Sequence, residues 1–282
     1  MSRHYDFLHL IVPEYIPMAI TTALVGAVST TNAFPGFEFI IVAIVLTLIV
    51  AAFNAFNAIA DREIDQINKP ERPLPSKKIS NHEALLFAIT AYSIALLLSL
   101  LINPTFFAII FIAVLVTTAY SYPGIDLKRK FGIGNFTVTV FYAILCSLAG
   151  WALYPNEPIP IPIISFLFLI GLSLSISKDF MDMPGDAFHQ ANTLPVKFGK
   201  NPSVGIIFIF LVISYLVLLM IIIMGLLSQQ YYFLFIFFPL MLFNVNRFRI
   251  KSNSDDHNHV FIKTVLLIIV LEISIILLEV FV

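Results

Sequence analysis

The sequence predicts an all-α integral membrane protein with nine transmembrane helices, and three observations predict it. Of 282 residues only 12% are charged while 59% are hydrophobic, where a soluble chain carries about 25% charged residues. Segment after segment reaches or passes the ~18 to 20 apolar residues needed to cross a bilayer. Lys and Arg collect in alternate connections, as a chain that changes sides at each segment requires. A soluble core therefore fails on composition and on segment length. The net charge of −1 is uninformative, and no nucleic-acid partner is expected.

Apolar runs read against Pro, Gly and charged breaks give spans over 8–31, 37–60, 83–102, 105–122, 135–154, 161–177, 203–227, 231–246 and 260–282. The first is expected to be retained, because Pro13, Glu14 and Pro17 interrupt its apolar region and no small-residue cleavage site follows. Arg3 precedes span one; Arg62, Lys69, Arg72, Lys77 and Lys78 follow span two; Lys128, Arg129 and Lys130 follow span four. Lys178, Lys197 and Lys200 follow span six, and Arg247, Arg249, Lys251 and Lys263 lie between or beside spans eight and nine. The opposite connections hold no Lys or Arg, although they are too short to offer many positions for charge. The expectation is a multi-pass protein of the cell membrane with a cytoplasmic N-terminus and an external C-terminus. Chemistry is expected in the longer basic connections, at 61–82, 123–134, 178–202 and 247–259. Residues 1–282 read as a single transmembrane domain without a strong repeat. Cys146, the lone cysteine, can form no intrachain disulfide.

Span two ends in "NAIADREID" at 57–65. If the helix continues to residue 65, Asn57, Asp61 and Asp65 project from one face, about 6 Å apart along the axis. Two ionised carboxylates at ~6 Å and an effective dielectric of ~20 repel by roughly 3 kcal/mol. A positive partner is therefore required, and Arg62 points elsewhere. Span six ends in "KDFMDMPGD", placing Lys178, Asp179, Asp182 and Asp186 together. Pro184 and Gly185 oppose continued helix, so Asp186 is expected to reach in from a loop. Each cluster alone reads better as a solvated helix end balancing Lys and Arg. Two clusters on one side favour a joint oxygen-rich site, suited to Mg²⁺ shared between carboxylates and substrate phosphates.

These stretches, "NAIADREIDQINKPERPLPS" at 57–76, "YSYPGIDLKR" at 120–129 and "KDFMDMPGDAFHQANTLPVKFG" at 178–199, resemble the three motifs of the UbiA superfamily of intramembrane prenyltransferases. With nine spans, the resemblance covers nearly the whole chain. Within the superfamily it is closest to the archaeal digeranylgeranylglyceryl phosphate synthases and, next, to chlorophyll synthase. Ala58 departs from the Asp common after the first Asn, and Lys77 from the usual Gly.

The resemblance implies a helical bundle around a central cavity open to lipid. It makes Asn57, Asp61, Asp65, Asp179, Asp182 and Asp186 the ligands of Mg²⁺, two ions bound with a substrate diphosphate. Asp61, Asp65, Asp182 and Asp186 are the catalytic candidates among them. Asn57, Arg72, Lys128 and Lys178 become candidate diphosphate contacts, and Arg62 and Arg129 weaker ones. The implied partners are a polyprenyl diphosphate donor, geranylgeranyl in the favoured branch, and a lipid-like phosphate acceptor. The implied reaction joins the donor to the hydroxyl of geranylgeranylglyceryl phosphate, forming an archaeal ether-lipid precursor. Alternatives are prenylation of an aromatic quinone precursor or a tetrapyrrole, and, in a different class, a cation-coupled transporter whose acids should lie near the midplane.

Aromatic walls including Tyr120, Tyr122 and Tyr142 could stabilise an allylic cation, although core or lipid packing is the better reading of each ring taken alone. His257 and His259 in "NSDDHNHV" read as a solvated loop, because no third partner is evident. Trp151 reads as an interfacial anchor. Glu14 and Glu272, carboxyls inside apolar spans, are expected to face a cavity, remain protonated or, for Glu14, serve freed backbone near a kink.

Overall fold

Among the described residues nine spans form when the bent first pair is counted as one. The structure, a computed structural model, describes residues 3–189, 191–251 and 254–281, and no strand occurs among them. Eight helices are long and apolar enough to cross a membrane. The ninth span is a broken pair, α1 (Arg3–Ile11) and α2 (Ile16–Thr31), meeting at 43°. The break sits at Val12, whose φ of 49° is left-handed, a conformation costing a β-branched residue roughly 1–2 kcal/mol. Pro13 and Pro17 follow and offer no backbone N–H, so the span expected over 8–31, with a kink near Glu14, consists of two arms.

Span two is α3 (Glu38–Ala60), continued after a turn by α4 (Arg62–Asn68). Spans three and four are α5 (Asn81–Ser99), opened by a Ser80–Glu83 capping box, and α6 (Pro104–Ser121), capped by Asn103. Span five joins α7 (Ile133–Thr139) to α8 (Cys146–Trp151) through a π-helical turn over Val140–Leu145. The remaining elements are α9 (Ile161–Phe188), the short α10 (Leu194–Phe198), α11 (Lys200–Ile223), α12 (Phe237–Ile250) and α13 (Ser254–Phe281).

Burial splits into two apolar clusters that meet around a central cavity. One joins α3, α5, α6 and α8 through Val45, Ile49, Phe106 and Cys146; the other joins α9, α11, α12 and α13 through Phe166, Leu218, Phe248 and Leu271. In lipid, apolar burial gives helices little reason to associate, and close backbone approach of small residues matters more. The α2–α8 crossing shows this. A Cβ on Gly26 would lie 2.0 Å from the Ser147 carbonyl oxygen, and one on Gly150 would lie 1.7 Å from that of Ala23. Large apolar side chains such as Leu101, Ile223 and Phe243 point outward, as lipid contact allows and water does not.

One boundary alters the functional reading. Span six, expected over 161–177, runs unbroken to Phe188 despite Pro184. Asp179, Asp182 and Asp186 are therefore all helical, and Asp186 does not reach in from a loop. The physical reason is side-chain repair of the backbone bonds that Pro184 and its neighbours forgo, described next.

Candidate active site

At the end of α3, backbone bonds of helical spacing continue from Asp61 N–H to the Asn57 carbonyl at 2.9 Å and from Asp65 N–H to the Asp61 carbonyl at 2.7 Å. Asp61 itself leaves helical geometry, with φ −96° and ψ 5°. Asn57 and Asp61 stay together, the Asn57 Nδ2 donating to Asp61 Oδ2 at 2.8 Å. Asp65, carried past the turn, is 3% exposed and receives a hydrogen bond from Arg72 NH1 at 3.0 Å. The single straight face expected for these three residues thus becomes a bent one. Pro70, Pro73 and Pro75 stiffen the turn that carries Arg72, and buried Leu74 and Ile79 anchor it.

The second cluster is held to the first by Asn68, a residue with no role in the sequence reading. Its Nδ2 donates to the Asp182 carbonyl at 2.9 Å, and its Oδ1 accepts from Gly185 N–H at 2.7 Å. A Cβ on Gly185 would sit 2.6 Å from that amide, so glycine is required for the approach. Pro184 cannot donate to the Phe180 carbonyl one turn back; His257 Nδ1 lies 3.0 Å from that oxygen instead. His257 is 2% exposed, which corrects the solvated-loop reading: a carbonyl orphaned by proline recruits it. His259 is exposed, as expected.

Cations occupy the acids one by one. Lys128 Nζ contacts Asp61 Oδ1 at 2.5 Å and Asn57 Oδ1 at 3.4 Å, and Ser121 Oγ also donates to that Asn57 oxygen at 2.9 Å. Lys128 is fixed by close backbone approach, since a Cβ on Gly134 would lie 2.7 Å from its carbonyl. Lys69 forms an ion pair with Asp182. Asp179 accepts from Asn135 Nδ2 at 3.1 Å. Burial raises the Asp65 carboxyl above its ordinary value against the pull of Arg72 and Lys69. For Arg72, burial alone would lower the guanidinium, but Asp65 and Asp182 outweigh it and raise it. Lys178, by contrast, makes no direct ion pair or hydrogen bond among the described residues. It lines the mouth of the central cavity and an adjoining polar space with Lys128 and Asp179.

The central cavity runs from Asn57 and Lys178 inward between apolar walls. Tyr15, Phe53, Tyr120 and Tyr142 line it, with Phe53 edge-on to Tyr120 at 5.3 Å between ring centres. The π-helical turn presents Tyr142 there, a local widening common at functional sites. Tyr122 is half exposed beyond the end of α6 and lies outside this wall, whereas Tyr15 was not anticipated. Glu272 is buried and faces the cavity, accepting from the hydroxyls of Thr21 and, at 2.5 Å, Thr22. Glu14 is exposed at the bend of the first span. Trp151 donates to the Glu157 carbonyl at 2.9 Å where span five ends.

The structure therefore brings Asn57, Asp61, Asp65, Asp179, Asp182, Lys128, Lys178 and Arg72 to one end of the bundle, with Asp186 buried a helical turn beyond Asp182. Lys69, Asn68, Asn135 and Ser121 complete the set. No three acidic, His or Cys side chains among the described residues converge enough to enclose an ion. Mg²⁺ does not need that, because it takes one or two carboxylates and fills its octahedron with waters and substrate phosphates. Asp61, Asp65 and Asp182, each already beside a cationic side chain, fit such an ion. The acids lie at helix ends and not at midspan, which removes the ground for a transporter.

Comparison with known proteins bears on the family and the fold. Residues 18–268 match the UbiA prenyltransferase family. The chain is 32% identical to the digeranylgeranylglyceryl phosphate synthase of Methanococcus aeolicus over 231 residues, covering 80% of this chain and 79% of that one. It is 34% identical to the enzyme of that name from Sulfolobus acidocaldarius over 200 residues, covering 69% and 70%. Among solved structures, one concerning digeranylgeranylglyceryl phosphate synthase in membranes is 26% identical with a TM-score of 0.70, each chain covered fully. A UbiA homolog from Archaeoglobus fulgidus bound to GPP and Mg²⁺ shares the fold, with a TM-score of 0.73 at 18% identity over 96% of this chain and 99% of that one.

Proposed function

The chain belongs to the UbiA prenyltransferase family, and from that premise we propose that it transfers a geranylgeranyl group from its diphosphate to the free hydroxyl of geranylgeranylglyceryl phosphate. The observation that carries this reading is the gathering of Asp61, Asp65 and Asp182, each beside a cation, at the end of the bundle where Asn57 and Lys178 line an aromatic-walled cavity. The relatives named above support the acceptor, and the bound GPP of the Archaeoglobus fulgidus homolog supports the donor class.

Asn57, Asp61, Asp65, Asp179, Asp182 and Asp186 would hold two Mg²⁺ ions with the donor diphosphate. When bound, the ions supply positive charge to the departing diphosphate. Lys128 and Lys178 orient its oxygens, and Arg72 adds charge behind Asp65. The allylic C–O bond breaks with its electron pair going to the diphosphate, leaving a carbon cation in the cavity lined by Tyr15, Tyr120 and Tyr142, whose rings stabilise it without attacking it. Dry apolar walls keep water from capturing it. The acceptor oxygen then bonds to that carbon, and its hydroxyl proton is released with the diphosphate product. The basic end, with the N-terminus and these loops, is read as cytoplasmic, and the C-terminus as external.

The test combines purified protein, geranylgeranyl diphosphate, geranylgeranylglyceryl phosphate and Mg²⁺, with mass detection of the ether. Asp61→Ala and Asp182→Ala are each expected to lower the rate by about a hundredfold or more, the scale for losing a transition-state charge contact. Full activity in either variant removes the assigned metal role. Transfer to an aromatic or tetrapyrrole acceptor, with none to the glyceryl phosphate, overturns the substrate.

A further inference from the structure

Lys69 and Arg72 face a different space from Lys128 and Lys178. They line a separate cavity of about 620 Å³, bounded by the end of α1, the bend at Val12 and the turn after α4, a volume within the range of small-molecule sites. Leu8, Val12 and Met181 supply apolar wall, while Lys69 and Arg72 are recessed and Glu14 and Glu71 stand exposed. Both recessed cations are engaged on their far side, Lys69 by Asp182 and Arg72 by Asp65. Among the described residues the Arg72 side chain makes no other hydrogen bond.

We infer that this cavity binds the phosphate of the acceptor, and that it becomes competent only when Asp65 and Asp182 turn to a divalent cation and release Lys69 and Arg72 to face it. The inference rests on the acceptor class proposed above. With both cations neutralised and Glu14 and Glu71 adding negative charge, the cavity repels a phosphate in the arrangement described here. Carboxylates committed to a metal no longer hold the two cations. The Arg72 fork then matches phosphate oxygens two at a time, and Lys69 acts as a point charge.

Placement suits the reaction. Lys69 touches Asp182 and lines the cavity at once, so a phosphate held by it lies one side chain from the donor diphosphate. In the acceptor the nucleophilic hydroxyl is on the carbon next to the phosphate-bearing one, so anchoring the phosphate there brings the hydroxyl toward the donor. Leu8, Val12 and Met181 receive the ether-linked chain. Binding is consequently ordered, with metal and donor before acceptor.

The test is equilibrium binding of labelled geranylgeranylglyceryl phosphate to purified protein under three conditions: metal-free, with Mg²⁺, and with Mg²⁺ plus inorganic pyrophosphate. Wild-type affinity is expected to rise by about tenfold or more in the last condition, the scale of one or two charge-assisted hydrogen bonds. Lys69→Met should abolish most of that rise while pyrophosphate still binds, which also shows that the variant is folded; Arg72→Met should lose the rise together with part of the pyrophosphate affinity. Lys128→Met should weaken pyrophosphate binding yet show the full rise once pyrophosphate is saturating. Geranylgeranylglycerol, lacking the phosphate, should show no metal-dependent gain. Acceptor binding that ignores Mg²⁺, or variants that weaken only pyrophosphate, overturns the inference and leaves the proposed reaction standing. Failure of the acceptor to bind in every condition overturns both.

Discussion

Replacing Asn68 by alanine removes the amide that joins α4 to α9. Two hydrogen bonds go, from Nδ2 to the Asp182 carbonyl at 2.9 Å and from Gly185 N–H to Oδ1 at 2.7 Å. Each is worth about 0.5–1.5 kcal/mol net, so the pair stabilises the fold by about 1–3 kcal/mol. The larger consequence is positional. Pro184 has already cost α9 one backbone bond, and without Asn68 the turn carrying Asp182 and Asp186 loses its lateral tie to the turn carrying Asp65 and Lys69. Asn68→Ala is therefore expected to lower both the thermal midpoint in detergent and kcat, while KM for the prenyl donor rises as metal–diphosphate binding weakens. Asn68→Asp separates the effects, since one oxygen still accepts from Gly185 but nothing donates to Asp182 and a negative charge is added beside it. It should retain more stability than alanine yet lose at least as much activity. A normal midpoint and normal kinetics in Asn68→Ala would refute the argument that this amide sets the spacing of the two acidic clusters.

Three further outcomes follow from the same geometry. His257→Leu leaves the Phe180 carbonyl unpaired and should cost about 1–3 kcal/mol in thermal or denaturant unfolding; an unchanged midpoint would show that the carbonyl finds another partner. Gly150→Ala drives a Cβ into the Ala23 carbonyl, whereas Gly205 has nothing within 4 Å of its Cβ position. The first should cost about 3 kcal/mol by overpacking and the second should be tolerated, as read by monodispersity and unfolding temperature; equal stability would argue against the tight α2–α8 crossing. Glu272→Leu leaves the Thr21 and Thr22 hydroxyls to carbonyls within their own helix, Pro17 at 3.0 Å and Met18 at 2.8 Å, so it should fold. By making the cavity wall apolar it should shift competition between prenyl donors toward longer chains, and an unaltered product ratio would remove Glu272 from donor selection.

The spans and the acid clusters are legible in sequence because both are local signals: an apolar run of bilayer length, and carboxylates at helical spacing next to it. What sequence periodicity misses is compensation at a distance. Pro184 and Gly185 argue locally for a helix end, and residues far away in the chain, Asn68 and His257 among them, support α9 as a helix to Phe188. The same blindness turned His257 into a surface histidine. Lys69 appeared as one more loop charge because its partner, Asp182, is supplied by another span. Tyr15 was hidden by the bend at Val12, which no hydrophobic pattern encodes. Asp61, Asp65, Asp182 and Lys128 emerged because their motif and their contacts agree.

The bend in the first span also divides it mechanically. Below the bend, α2 is fixed to α8 through backbone contacts that admit no Cβ at Gly26 or Gly150, so the cavity wall carrying Met18 and Thr22 is stiff. Above it, α1 is joined through a single strained residue and packs mainly against α3. The two arms therefore rest on different partners, so that α1 follows α3 while α2 keeps the cavity wall and the buried carboxyl of Glu272 in register.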